Sequence, residues 1–345
     1  MNSNSSCTLY SADALDAFVT KVLQAIGVDD VDARYMAGII IASELSGHPS
    51  CGLRQLPDYV LRWQQGKATT HLRPQIEKDS GSVLVIDGQG CFGHVVMRMA
   101  TALAVERAQS HGISLIAIRR SEPAGRYADF CEYAAGQGVI TLMFVNDSGG
   151  CQEVSPPGAR APRLSTNPFA IGVPRASRPH LVLDMATSAV AFGRLLECRE
   201  RGESIPTDWV TNEGFMRPFG GAKGFGLAVM VEALAGALTG GGTVGPNPLN
   251  DDQAMLIIAI DVKHVRSLSE FTSDVESFVG YIKDAPLEVG AAGIRMPGEG
   301  GAANAAERMQ AGIDIQLSTR GKLFDIAREF KIGFPECISP APSNA

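Results

Sequence analysis

Apolar residues recur at helical spacing through the first 66 residues, and from residue 80 short apolar runs alternate with helical stretches. Ser11 stands where an N-cap belongs, ahead of "ADALDAFVTKVLQAIG", in which Leu15, Phe18, Val19, Val22 and Ile26 fall on one face and Gly27 ends the run. A second helix is predicted over "DARYMAGIIIASELSG" and a third within "RQLPDYVLRWQQG", with Pro57 near its start or kinking it. His48, Ser50 and Cys51 therefore fall at a corner between helices, where a polar side chain can face a cleft. Further along, "SVLVIDG", "ISLIAIR" and "VITLMFVN" read as strands, separated by helices over "HVVMRMATALAVERAQSHG" and "RYADFCEYAAGQG". Short strands follow in "NPFAIGVP" and "HLVLDMA", then a long helix in "KGFGLAVMVEALAGAL". The run "AMLIIAID" is almost wholly apolar, as a central strand is. Helices are expected over "FTSDVESFVGYIKDA", "AANAAERMQAG" and "RGKLFDIAREFKIG", and the proline-rich end "FPECISPAPSNA" is expected to be loose.

Composition narrows the class. With 345 residues, 45% hydrophobic and 19% charged, the chain can bury about three quarters of its extended surface, which rules out disorder. The formal net charge of -7 and the lack of a basic patch argue against nucleic acid and anionic membrane as partners. Seven cysteines, at positions 7, 51, 91, 131, 151, 198 and 337, show no CxxC spacing. The opening "MNSNSSCTLYS" does not read as a signal peptide, and no apolar run reaches the roughly 20 residues of a membrane span, so a cytoplasmic enzyme is expected. The histidines are scattered, and no metal-binding array stands out.

Several stretches carry candidate chemistry. Gly88, Gly90 and Gly93 satisfy G-x-G-x-x-G between a strand and a helix, which is either a pyrophosphate clamp or a glycine turn opening an ordinary helix. On the first reading Arg119 or Arg120 ends the next strand, where an arginine can meet a 2'-phosphate. In "PFGGAKGFG", glycines permit close backbone approach, Lys223 supplies a charge, and the following helix offers free N–H groups, so the loop is either an anion contact or a tight connection. "RLSTNPFAIG" presents Ser165, Thr166 and Asn167 ahead of a proline. Asp184, at the end of a buried strand, is either a cap or a site residue.

Taken together, "SELSGHPSCGLRQLPDYV", "IDGQGCFG", "SPPGARAPRLSTNPFAIGVPR", "LVLDMATSAVAFG", "IPTDW", "PFGGAKGFGLAVMVEALAGALTG" and "MPGEG" span nearly the whole chain, which resembles the malate/L-lactate dehydrogenase family of non-Rossmann type. The resemblance implies an α/β fold with a mostly antiparallel central sheet, a helical domain (1–75, completed by 300–345) and a central NAD(P)-binding and substrate region (76–299). It also implies a homodimer acting on a small carboxylated substrate, and it makes "GQGCFG" a helix-opening turn. The residues expected to hold NAD or NADP are Arg120, Ser121, Thr166, Asn167, Asp184, Gly221, Lys223, Gly224 and Glu299.

Three departures from the family pattern stand out. Where the family writes Ser-His-Gly, this chain has Ser50, Cys51 and Gly52, with Gln55 in the place of an arginine. Where it writes Asn-His-Phe-Gly, this chain has Glu122, Pro123, Ala124 and Gly125. About a dozen residues common in the family are missing between "VTNEG" and "FMRPFGG". A positioned acid contributes about 10²- to 10⁴-fold to such a reduction, so loss of both histidines should cripple a standard 2-hydroxy acid dehydrogenase. The expected function is an NAD(P)H-dependent reductase of a small carboxylated C=N or C=O compound. An iminium is already protonated and needs no acid at the moment of hydride delivery. Asp184 can stabilise it, His48 or Cys51 can supply a proton, and Glu122 is a further acid or base candidate. Cys51 reads equally as a small hydrophobe filling the space of an imidazole. The alternatives are a lyase, isomerase or cyclising enzyme on the same fold, or a silent binding protein.

Overall fold

The computed structural model describes residues 9–148, 150–246 and 251–338. These divide into two compact units, one formed by the stretches up to Leu72 and from Gly300 onward, the other by Arg73–Glu299.

The first unit begins with β1 (Leu9–Tyr10), α1 (Ala12–Ala25) and α2 (Asp30–Leu45). Ser11 Oγ accepts the Ala14 N–H at 3.1 Å, and Leu15, Phe18, Val19 and Val22 are buried along the face their spacing predicts. Asp29 caps α2 by accepting from Val31 and Asp32, so this helix starts earlier than its apolar pattern shows. The third helix is shorter than expected. Two 3₁₀ turns, Pro49–Cys51 and Leu53–Gln55, precede α3 (Leu56–Gln64), and Pro57 sits in its first turn, where a missing N–H costs nothing.

In the second unit the chain runs through β2 (Gln75–Asp79), β3 (Val83–Asp87), α4 (Gly93–His111), β4 (Ile113–Ser121), α5 (Ala128–Gly136), β5 (Val139–Asp147), β6 (Phe169–Val173), β7 (Leu181–Met185), α6 (Phe192–Arg201), α7 (Ala222–Val231), β8 (Gln253–Asp261) and α8 (Leu268–Lys283). The seven-stranded sheet has the order β2-β3-β4-β8-β5-β6-β7. Only β3 and β4, joined through α4, pair in parallel, and every other neighbouring pair is antiparallel. β8 lies between β4 and β5, with Met255–Ile257 and Ala259 buried, as its apolar run requires. Two elements escape pattern reading. β2 is "QIEKD", exposed at every position on the sheet edge, and α6 is an arginine- and glutamate-rich helix with a narrow buried stripe. The long helix after Gly221 is α7 continued by a π-helical turn over Glu232–Ala237.

The chain then returns to the first unit through α9 (Glu299–Ala311), β9 (Ile313–Asp314) and α10 (Leu317–Glu329). β9 pairs with β1, and Gln64 Nε2 donates to Glu329 Oε1 at 2.7 Å, so the two chain ends share one body. The C-terminal stretch is not loose as far as Ile338. Phe334 packs edge-on against Tyr10 and Phe18 and beside Phe324, and the Ile338 N–H donates to Leu9 O at 2.9 Å. Aromatic burial outweighs the proline content there. Residues 1–8, with Cys7, and 339–345 lie outside the described residues.

Candidate active site

At one end of the large sheet β4, β5 and β7 finish and β6 and β8 begin, as the pairings Asp147↔Gln253, Ser121↔Gln253 and Phe169↔Met185 show. Polar side chains collect there although the strands are apolar. Tyr127 Oη donates to Gln253 Oε1 at 3.0 Å, Gln253 Nε2 donates to Asp147 Oδ1 at 3.0 Å, and Ser165 Oγ donates to Asp147 Oδ2. A chain of bonds thus ties the start of α5 to the turn before β6.

Asp184 caps α5. Its Oδ2 accepts the Tyr127 and Ala128 N–H groups at 2.8 Å each, joining β7 to the helix that follows the Glu122–Gly125 segment. Burial of the carboxyl pushes its pKa up to about 6, against the opposing pull of the two N–H groups and of the Arg126 charge. Both sequence readings of Asp184, as a cap and as a residue with a pKa set by its neighbours, therefore hold at once.

The Ser165–Asn167 turn is pinned from two sides. Thr166 O accepts from both the Thr187 N–H and Oγ1 at 2.9 Å. Asn167, with φ of 36° and 0% exposure, donates from Nδ2 to Ala228 O at 3.0 Å and to Glu232 Oε1 at 2.9 Å. Thr166 is only half-buried and is the member of the turn that meets solvent. Glu232, itself buried, also accepts from Asn146 Nδ2 at 3.4 Å and from the Val244 N–H at 3.1 Å. Sequence reasoning missed Glu232, Asn146 and Tyr127. The available signal for Glu232 was a single carboxylate inside "GLAVMVEALAGAL", since an unpaired charge is not buried in an apolar helix without partners.

Arg120 ends β4 with φ of 55° and pairs with Asp87 through Nε at 2.8 Å and a second guanidinium nitrogen. Burial by itself raises the Asp87 pKa, but the Arg120 hydrogen bonds, the Gln89 N–H and the Arg120 and Arg119 charges outweigh it and hold it low. Ser121 is fully buried, its Oγ turned onto Glu122 O at 2.9 Å. Glu122 is buried too, and its N–H donates to Cys91 O at 3.0 Å. Glu299 Oε1 accepts from Lys283 Nζ at 2.6 Å and lies 3.5 Å from Arg175, while Oε2 accepts the Met296 N–H at 3.0 Å. The Lys283 bond leads a set of contacts that lowers the Glu299 pKa.

His48 and Cys51 belong to the first unit. His48 is exposed, and Cys51, half-buried, closes the first 3₁₀ turn with its N–H on His48 O at 3.0 Å. Gln55, in the position of the missing arginine, donates from Nε2 to Ser50 O at 2.7 Å, so its side chain braces the same turn. Gly52 leaves room for the buried Glu44 carboxylate, which accepts the Leu53 N–H at 2.7 Å.

The two glycine motifs differ in what they leave open. A Cβ on Gly93 would stand 2.1 Å from Glu122 O, and one on Gly88 would stand 2.7 Å from Arg120 O. The Gly88 and Gly90 N–H groups are spent on Arg119 O and Arg120 O, both at 2.8 Å. These glycines serve backbone packing against residues 119–124, and the turn offers no phosphate cradle. In the second motif Gly224 serves the same purpose against Phe219 and Thr187, but Gly221, with φ of 63°, has nothing within 4 Å of its Cβ position and stands at the N-cap of α7. Lys223 is exposed in the first turn of that helix. Open space, a helix N-terminus and a cation suit a phosphate group.

The sequence model described as malate/L-lactate dehydrogenase matches residues 10–323. The chain belongs to the malate/L-lactate dehydrogenase family. Hydroxycarboxylate dehydrogenase B of Escherichia coli O157:H7 is 31% identical over 348 residues, covering 95% of each chain. Among solved structures, malate dehydrogenase from Pyrococcus horikoshii OT3 superposes with a TM-score of 0.86 at 27% identity, covering 97% of this chain and 99% of that one. A Δ1-piperideine-2-carboxylate reductase from Pseudomonas syringae pvar. tomato superposes with a TM-score of 0.77 at 26% identity, covering 92% and 99%. As a member of this dehydrogenase family the chain is an oxidoreductase, and the family points to a nicotinamide cofactor. Among the described residues no group of three histidine, cysteine or acidic side chains could hold a metal ion, and no helix is long and apolar enough to cross a membrane.

Proposed function

We propose that this family member is an NAD(P)H-dependent reductase acting on a small carboxylated C=N compound, such as a cyclic imino acid, in preference to a 2-oxo acid. The observation that carries the reading is the replacement of both family histidines, one by Cys51 in the 3₁₀ turn and one by Pro123 beside buried Glu122. Proline has no side-chain proton to give, and a protonated iminium needs none at the moment of reduction. The reductase from Pseudomonas syringae, which carries such a substrate in its name, supports the choice.

Residues 76–299 are the proposed NAD(P)-binding and substrate region, with Thr166 and the Asn167 turn beside the nicotinamide and Gly221, Lys223 and Gly224 at a phosphate. The bound cofactor supplies the hydride. Asp184, with a pKa of about 6, is mostly ionised at neutral pH and offers a negative charge to an iminium. Arg120, paired with Asp87, is the proposed contact for the far end of the dinucleotide, and NADP is favoured if Arg120 leaves Asp87 for a 2'-phosphate. A homodimer in the cytoplasm completes the proposal.

Titration of the protein with NADH and NADPH, followed by nicotinamide fluorescence, tests the cofactor assignment. One reduced dinucleotide should bind, and Lys223→Ala should weaken it by about fivefold, the order of one exposed charge–phosphate contact. Failure of both dinucleotides to bind at millimolar concentration overturns the reading.

A further inference from the structure

The Asn167 amide is held by its donor side only. Nδ2 has two acceptors, Ala228 O and Glu232 Oε1, and this pair fixes which edge of the amide is the NH₂. Oδ1 on the opposite edge is enclosed and has no donor, although the residue is fully buried. An enclosed amide oxygen without a donor costs about 1–3 kcal/mol, a cost that disappears when a donor arrives. The arrangement is maintained by Glu232. Its Oε1 takes the Asn167 NH₂ and its Oε2 takes the Val244 N–H, so both oxygens are committed as acceptors and neither can offer Asn167 a proton. The same carboxylate lies at the start of the π-helical turn that continues α7, and Asn167 sits between the half-buried Thr166 and Pro168 at the mouth of β6. Its positive φ keeps the turn in a conformation that asparagine tolerates and most side chains do not.

We propose that Glu232 is a positioning residue: it locks the Asn167 amide so that Oδ1 stays the acceptor for an N–H donor of the ligand at this turn, the carboxamide of a nicotinamide ring. The proposal rests on the placement of the nicotinamide given under Proposed function. Glu232 touches neither substrate nor cofactor and acts through Asn167. Closing the ring onto the turn supplies the missing donor, and the gain goes selectively to dinucleotides that carry an amide N–H.

The test compares the reduced natural dinucleotide with its reduced acetylpyridine analogue, in which a methyl ketone replaces the carboxamide and no N–H remains. Affinities of the full-length protein for both are measured by fluorescence titration, with thermal melting recorded alongside. The wild type should prefer the carboxamide by about fivefold to tenfold, the value of one hydrogen bond to an enclosed acceptor. Glu232→Gln has only one acceptor oxygen for two sets of donors and lets the Asn167 amide turn over. It should lower affinity for the carboxamide form, leave the acetylpyridine form nearly unchanged, and bring the ratio close to one. Asn167→Gly removes the amide while suiting the positive φ and should do the same, which keeps the test valid if Glu232→Gln does not fold. A merely structural role for Glu232 would lower the melting temperature and weaken both dinucleotides alike, and that result overturns the proposal. A wild-type ratio of one, or a ratio preserved in Asn167→Gly, overturns it as well. Wild-type protein that binds neither dinucleotide removes the cofactor assignment itself and this proposal with it.

Discussion

Asp184 is the residue at which electrostatics and structure meet most directly. Its carboxyl has a folded pKa raised from 3.8 to about 6, so between those values the folded state binds more protons than the unfolded one. The sign follows: this group disfavours folding increasingly as pH rises from about 4 to about 6. Asp184→Asn keeps an oxygen for the Tyr127 and Ala128 N–H groups and removes the titration. Melting curves across that range should show wild type losing stability relative to Asp184→Asn as pH rises, and parallel curves would mean that burial does not govern the group. Activity should move the other way, falling in wild type below pH of about 6 as the charge offered to the iminium is lost. At Cys51 the surroundings favour packing. The side chain is half-buried in a turn braced by the Gln55 contact to Ser50 O. Cys51→Ser, close in volume, should retain turnover within about twofold, whereas a thiol that donates a proton would lose on the order of 10²-fold.

At the scale of elements, regular periodicity was readable and irregular connections were not. The faces of α1, the apolar β8 and the alternation around α4 follow from residue spacing, because burial selects them. β2 and α6 are polar elements at an edge and on a surface, and their formation depends on neighbours that a local window does not contain. The corner at His48–Gln55 resolves into two 3₁₀ turns because Glu44, on α2, accepts the Leu53 N–H across nine positions. The glycine fingerprint shows the limit of motif reading most clearly. Its spacing permits a dinucleotide clamp, and only the proximity of residues 119–124 decides that the glycines serve packing. Gly93→Ala should therefore destabilise the fold by at least about 2 kcal/mol, since backbone stands where the methyl would go. Chemical denaturation checks this, and a variant of unchanged stability that loses only dinucleotide affinity would restore the clamp reading.

For the whole molecule, the order of motifs along the chain gave the family and the mostly antiparallel sheet, both of which the fold and its relatives bear out. The candidate site was less readable. Asp184, Thr166 and Asn167 could be picked from their positions at strand ends, but Glu232 and the Tyr127–Gln253–Asp147 chain join residues more than 60 positions apart and leave no local signature. What distinguishes this protein within its family is the loss of two imidazoles from a scaffold that keeps its other polar groups at the sheet end, and the account turns on that loss being tolerable for one bond type. The most direct test is the ratio of kcat/KM for a cyclic imino acid to that for the corresponding open-chain 2-oxo acid, measured with the preferred reduced dinucleotide. The account predicts a ratio of at least about 10², the lower end of what a positioned acid contributes. Equal rates, or faster reduction of the 2-oxo acid, would contradict it.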